Sequence, residues 1–254
     1  MVNINNILIT VALIFSFVLP IGLVIWWKKK TGEKLWPFIA GAICFTVFAM
    51  VLEQILHTFC VVLDNPVSNV IKNNAIAYMM YGALAAGIFE ETGRLFGFKV
   101  LLKKYNEKKT AIAYGIGHGG IEVIFILGIT YLLYFLAICN VTVGTEEATK
   151  TLLNTASAIK TGDICLAMIE RIATVIVHIS LSMIVFVAAR VKGKMWLYPV
   201  AILMHALIDA PAALFQAGLG IPLMAIEAML IVLAVIYFFI GKKILDTELT
   251  EIGQ

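Results

Sequence analysis

The sequence predicts an all-α, polytopic membrane bundle of about seven transmembrane helices, and three observations predict it. Hydrophobic residues fill 61% of the 254 positions and charged ones only 14%, with a mean hydropathy of +0.98, too little polar surface to clothe a water-soluble globule. Apolar runs of about 20 residues or more, the length that crosses the hydrocarbon core, recur along the whole chain. Basic residues gather at every second break between those runs. Lipid leaves an open sheet edge unsatisfied, so the runs are read as helices.

The first run, Ile4 to Trp27, ends in Lys28, Lys29, Lys30 and Lys34; it lacks the basic lead of a signal peptide and is too long for one, so it is expected to be retained. The second, Trp36 to Val62, is followed by a break with one lysine. Ala75 to Lys99, the third, is followed by Lys103, Lys104, Lys108 and Lys109. The fourth, Thr110 to Ile138, leads into an acidic connection containing Glu146 and Glu147, the one sizeable polar segment, whose middle is expected to form a short surface helix. Gly162 to Arg190 is the fifth, followed by Lys192 and Lys194; Trp196 to Gln216 and Ile221 to Gly241 complete the set, with Lys242 and Lys243 at the end. Placing the lysine-rich ends in the cytoplasm gives an N-out, C-in arrangement in the cell membrane. Trp26, Trp27, Trp36 and Trp196 then all lie at cytoplasmic boundaries, as interfacial anchors do.

The chain reads as a single integral membrane domain over residues 1–254, with its motif-bearing core at about 75–216. The net charge of +3 is accounted for by topology, and no nucleic-acid partner is read from it. Cys44, Cys60, Cys139 and Cys165 show no metal spacing; Cys139 and Cys165 flank the polar connection and could pair, although such cysteines usually fill space as small apolar groups.

Chemistry concentrates in the run EETGR, where Glu90, Glu91 and Arg94 share one span. Each charge inside a span costs roughly 2.5 to 3.5 kcal/mol on insertion scales, so three together call for a function. At about 1.5 Å per residue from the cytoplasmic ends, Glu90, Glu91, His118 and His205 come to roughly 12 Å depth, with Glu122 and Asp209 one turn deeper and His178 at roughly 18 Å. Four helices thus deliver carboxylates and imidazoles to one layer. His118 with Glu122, and His205 with Asp209, are four residues apart and share a helix face. Arg94 is placed to hold one glutamate ionised while the other transfers protons; Glu90 is assigned to chemistry and Glu91 to support. Glu53, His57, Glu170, Arg171 and Glu227 form a second layer nearer the outer face, where Arg171 is expected to clasp Glu53 or Glu227, or the group lines an outer vestibule. Gly93, Gly97, Gly115, Gly117, Gly119 and Gly120 are expected to allow close helix packing, the functional alternative being room for a substrate beside His118. Pro211 is expected to kink the sixth span.

EETGR, then HGGIE from His118 to Glu122, then HALID from His205 to Asp209 resemble the ordered motifs of the glutamic-type intramembrane proteases, a clan with CAAX-processing and PrsW-like members. GIGHGGIE, with Glu170, Arg171 and His178 on the next span, most resembles its YhfC family of membrane peptidases, over Gly82 to Ala212. The resemblance implies an endopeptidase acting on membrane-associated polypeptides. Glu90 would be general base, Glu91 and Arg94 its electrostatic support, and His118, His178 and His205 would position water or contact the oxyanion. Asp209 stands where the CAAX branch has asparagine, and EExxR replaces EExxxR, so prenylated substrates are not implied. No organic cofactor is expected. Zinc held by His118, His178 and His205 with a glutamate is an alternative, although no HExxH occurs. Intramembrane carboxylates and histidines would also suit a proton-coupled transporter, but the chain lacks the internal repeats of many carriers. A non-catalytic scaffold is a further possibility, although a scaffold would not need both glutamates. Substrate, oligomeric state and whether Glu90 or Glu122 is the base are open at this point.

Overall fold

The computed structural model describes residues 4–250, and among them the regular structure is entirely helical. Nine helices follow one another among those residues: α1 (Ile4–Thr31), α2 (Trp36–Val62), α3 (Pro66–Lys72), α4 (Ala75–Phe96), α5 (Lys108–Ile138), α6 (Glu146–Ala158), α7 (Thr161–Arg190), α8 (Leu197–Gln216) and α9 (Leu223–Thr250). Six of them, α1, α2, α5, α7, α8 and α9, are long and apolar enough to cross a membrane. The run expected to be the third span is the helix α4, which continues through a wide π turn over Gly97–Leu101; with Glu90, Glu91 and Arg94 in it, α4 is not among the six helices apolar enough to cross a membrane. Large apolar side chains such as Val18, Ile55 and Phe239 stay more than half exposed, a surface suited to lipid. The protein is a multi-pass membrane protein. Helix α6 is the short surface helix expected in the polar connection, capped by the Thr145 hydroxyl, which accepts from Ala148 N at 3.1 Å.

Helix α7 is the axis of the bundle. Its apolar window is 72% buried, against 22–33% for the other five spans, because α1, α4, α5, α8 and α9 all pack on it. A helix apolar on every side belongs at such a centre; Leu181 and Ile184 through Val187 are wholly enclosed. Arg190, at its end, donates to Phe98 O (2.8 Å) and Leu102 O (2.6 Å), capping orphan carbonyls where α4 ends. That tie sets the register between α4 and α7.

Glycines set the spacing between helices, as expected. A Cβ on Gly117 would stand 1.9 Å from Phe38 O, and one on Gly41 2.2 Å from Tyr114 O, so α2 and α5 touch backbone to backbone. Gly93 packs on Phe48, Gly115 on Ile179 and Gly120 on Pro20. None of these lines the cavity beside the glutamates, and Gly119, next to His118, packs on His178. Helix α8 runs unbroken through Pro211. All four cysteines are free, Cys139 and Cys165 being exposed.

Candidate active site

Glu90, Glu91 and Arg94 lie on α4, His118 and Glu122 on α5, His178 on α7, and His205 and Asp209 on α8. The eight side chains meet in one connected cluster, and three of the chain's four histidines are in it. The centre is Glu90. Its Oε2 shares a hydrogen bond with His118 Nε2 at 2.9 Å and lies 3.9 Å from His178 Nδ1, while Oε1 lies 3.8 Å from His205 Nε2. The rings of His118 and His178 are 4.8 Å apart between centroids, and Phe45 closes the far side of His118 edge-on at 5.1 Å.

Adjacent residues on a helix point about 100° apart, so Glu91 faces other partners. Arg94 Nε donates to Glu91 Oε2 at 2.8 Å and Nη2 to Oε1 at 3.2 Å; His205 Nδ1 shares a bond with the same Oε1 at 2.8 Å. The three remaining Arg94 N–H groups reach α7: Nη1 donates to His178 O (3.1 Å) and Ser182 Oγ (2.5 Å), and Nη2 meets His178 Nδ1 (3.1 Å). All five guanidinium donors are thereby used, as a fully enclosed arginine requires. Arg94 thus pairs with Glu91 and leaves Glu90 to the histidines. The network also includes Ser182, which no motif marks although it stands one turn beyond His178; its hydroxyl donates to His178 O at 2.7 Å.

Glu122 is not an isolated partner of His118 one turn away. Its Oε2 touches His178 Nε2, and its Oε1 accepts from Arg171 Nη1 at 2.8 Å. The expectation that Arg171 clasps Glu53 or Glu227 is therefore corrected: its partners are Glu122 and, through Nη2, Glu170. Lateral helix order explains the loss of Glu53 as a partner, since α7 and α5 pack together whereas α2 lies behind α5; Glu227, on the adjacent α9, lines the same cavity without bonding Arg171. Glu53 instead pairs with His57 at 3.0 Å, and His57 Nδ1 bonds Tyr81 OH at 2.7 Å, beside a separate cavity. The site opens into a cavity of about 280 Å³ between α7, α8 and α9, lined by Glu90, His178, His205 and Asp209 together with Glu170, Arg171 and Glu227. These last three residues of the second polar layer thus line a vestibule. Asp209, with Oδ2 3.3 Å from His205 Nε2, borders both cavities.

Glu90, His118 and His178 offer ligand atoms within 4.8 Å of one another. One carboxylate and two imidazoles are a donor set that catalytic zinc uses, leaving a fourth position for water. Glu122 against His178 Nε2 is the outer carboxylate that commonly orients a metal-binding histidine. His118 Nδ1, buried without a hydrogen-bond partner, has no such support. The donors fit zinc in type and spacing, with the condition that Arg94 Nη2 gives up its bond to His178 Nδ1, since Nε2 is engaged by Glu122. His205, expected among the zinc ligands, is turned by its bond to Glu91 and stands outside this group.

The family model described as YhfC intramembrane metalloprotease matches residues 15–232. A protein of Bacillus subtilis (strain 168) named "Uncharacterized membrane protein YhfC" is 33% identical over 244 residues, covering 90% of this chain and 92% of its own length. No solved structure matches. The motifs that meet at Glu90 all lie inside the matched span, and the chain belongs to the YhfC intramembrane metalloprotease family.

Proposed function

We propose that this protein is an intramembrane endopeptidase that hydrolyses peptide bonds of membrane-associated polypeptides, with Glu90 as general base. The observation that carries the reading is a carboxylate on a helix, faced by imidazoles from three other helices, in a cavity lined by both polar and apolar side chains. Peptide hydrolysis needs a base for water, a donor for the developing oxyanion and a proton for the leaving amine.

Glu90 takes a proton from water as the water oxygen adds to the scissile carbonyl carbon. It returns that proton to the amine nitrogen as the C–N bond breaks. His205, whose Nδ1–H donates to Glu91, turns Nε2 toward Glu90, Asp209 and the cavity, where the imidazolium form presents an N–H to the oxyanion. His118 and His178 bracket the other carboxylate oxygen and restrict the direction from which water approaches. Glu91 and Arg94 neutralise one another and fix His178 and His205 relative to the reacting carboxylate. In the N-out, C-in arrangement the cavity opens toward the outer face, because the end of α8 and the start of α9 form its mouth.

A second reading is favoured by the spacing of Glu90, His118 and His178 and by the family description. A zinc ion held by these three would supply a bound water that ionises near neutral pH. Glu122 would then orient His178, and His205 with Asp209 would handle protons at the cavity side.

The test compares new N-termini in membranes from cells expressing wild type and Glu90→Gln at equal levels, with the zinc content of both purified proteins measured alongside. Fragments that disappear in the variant are expected. Zinc at one per chain, lost in His118→Ala, would select the second reading; identical fragments in wild type and variant would remove the protease assignment.

A further inference from the structure

Both ends of the site cavity are polar, and the mechanism uses only one of them. At the far end Arg171 is bracketed by Glu122 and Glu170, while Glu227 reaches the same wall from α9. Glu227 is only 7% exposed, and its Oε2 makes no hydrogen bond. Three carboxylates thus face one guanidinium. Arg171 donates to the two glutamates it touches, which leaves Glu227 as a carboxyl group lining the cavity with no cation bonded to it. A buried charge in a membrane ordinarily has a partner, and here the open space is where one would come. Apolar side chains, including Ile208 and Leu230, wall the cavity between the two polar ends.

We propose that the Glu227 end of this cavity is a specificity subsite for a cationic group, a lysine or arginine side chain of the polypeptide substrate. The proposal rests on the endopeptidase reading for the word substrate, and on the cavity alone for the binding of the cation. Its position follows from helix geometry. Arg171 precedes His178 by seven residues, about 10 Å along the α7 backbone at 1.5 Å per residue, and the Glu122 carboxylate bridges their side chains, so an extended chain covers the distance in at most about three residues at 3.3 Å each. The basic residue therefore lies within about three residues of the scissile bond, on an otherwise apolar segment matched to the walls. An arginine fits better than a lysine where a planar, bidentate contact with a carboxylate is available.

The test uses a fluorescent leucine-rich peptide with one central arginine and the same peptide with citrulline, its neutral isostere. Binding is measured by energy transfer to the Glu90→Gln protein, which leaves the peptide uncleaved, in phosphatidylcholine nanodiscs. The arginine peptide is expected to bind about tenfold more tightly, and the ratio to fall to about one in Glu90→Gln/Glu227→Gln. Unchanged binding of the citrulline peptide by the second protein shows that the cavity survives the substitution. The arginine-to-citrulline ratio on the first protein stands even where the second does not fold. Equal binding of the two peptides to the first protein, or a preference that persists without Glu227, overturns the subsite. Cleavage of the arginine peptide by protein with Glu90 intact is read separately: a charge preference without cleavage keeps the subsite and removes the protease reading.

Discussion

The Glu91–Arg94 pair predicts a sharp departure from additivity. Both side chains are fully enclosed, and their charges are satisfied by one another, by His205 and by α7. Removing one partner of such a pair leaves a buried charge exposed to nothing, at a cost of about 3–5 kcal/mol. Glu91→Gln is expected to fall in that range. Arg94→Met should cost about 1–2 kcal/mol more, since it also gives up the donors to His178 O and Ser182 Oγ, at about 1 kcal/mol per neutral bond. Ser182 limits that loss, because its hydroxyl keeps its own bond to His178 O at 2.7 Å. In the double variant no charge is stranded, so its cost should be about 2–4 kcal/mol, near or below that of either single change. Reversible unfolding of the purified proteins in mixed detergent micelles measures all three. A double variant whose cost equals the sum of the singles within about 0.5 kcal/mol would show that the pair is not a unit and refute the argument.

Gly117→Ala places a methyl where Phe38 O stands at 1.9 Å and should lower stability by about 1–3 kcal/mol or prevent accumulation, whereas Gly22→Ala, with nothing within 4 Å, should be neutral or better in the same melts. Asp209→Asn should leave the melting temperature within about 2 °C, because the side chain is 37% exposed, while cleavage falls roughly 10- to 100-fold if the carboxylate orients His205; wild-type turnover would exclude that role. Glu122→Gln should weaken both of its contacts, slowing cleavage through His178 and destabilising the fold through Arg171; an unchanged melt would show that Glu170 alone satisfies the arginine.

What was legible in the sequence follows from which quantities a helix makes linear. Axial position is one: rise per residue brings Glu90, His118 and His205 level, with Asp209 one turn on, without any knowledge of packing, and these side chains do meet. Contacts within a helix are another, which is why Arg94 and Glu91, three residues apart, pair as expected. Ser182 is legible on the same basis, one turn past His178, but it carries no distinctive signal, because a serine in a membrane helix ordinarily bonds its own backbone, as this one also does.

Rotation and lateral order are not linear in this way. Arg171 and Glu122 are 49 residues apart, and their pairing depends on α5 lying beside α7 with those faces turned inward, a matter of how glycines and bulky side chains interlock across helices. The same rotation decides that His205 meets Glu91 and withdraws from the group formed by Glu90, His118 and His178. A set of three histidines chosen by depth therefore contains one whose bond to Glu91 gives it a different task. The consequence for mechanism is specific. With Nδ1 tied to Glu91, His205 turns Nε2 toward Glu90 Oε1, Asp209 and the cavity, whereas His118 and His178 meet Glu90 at Oε2, His178 also bordering the cavity. His118 and His178 thus approach one oxygen of Glu90 and His205 the other, so the imidazoles divide into two sets with different neighbours, a division that holds with zinc or without.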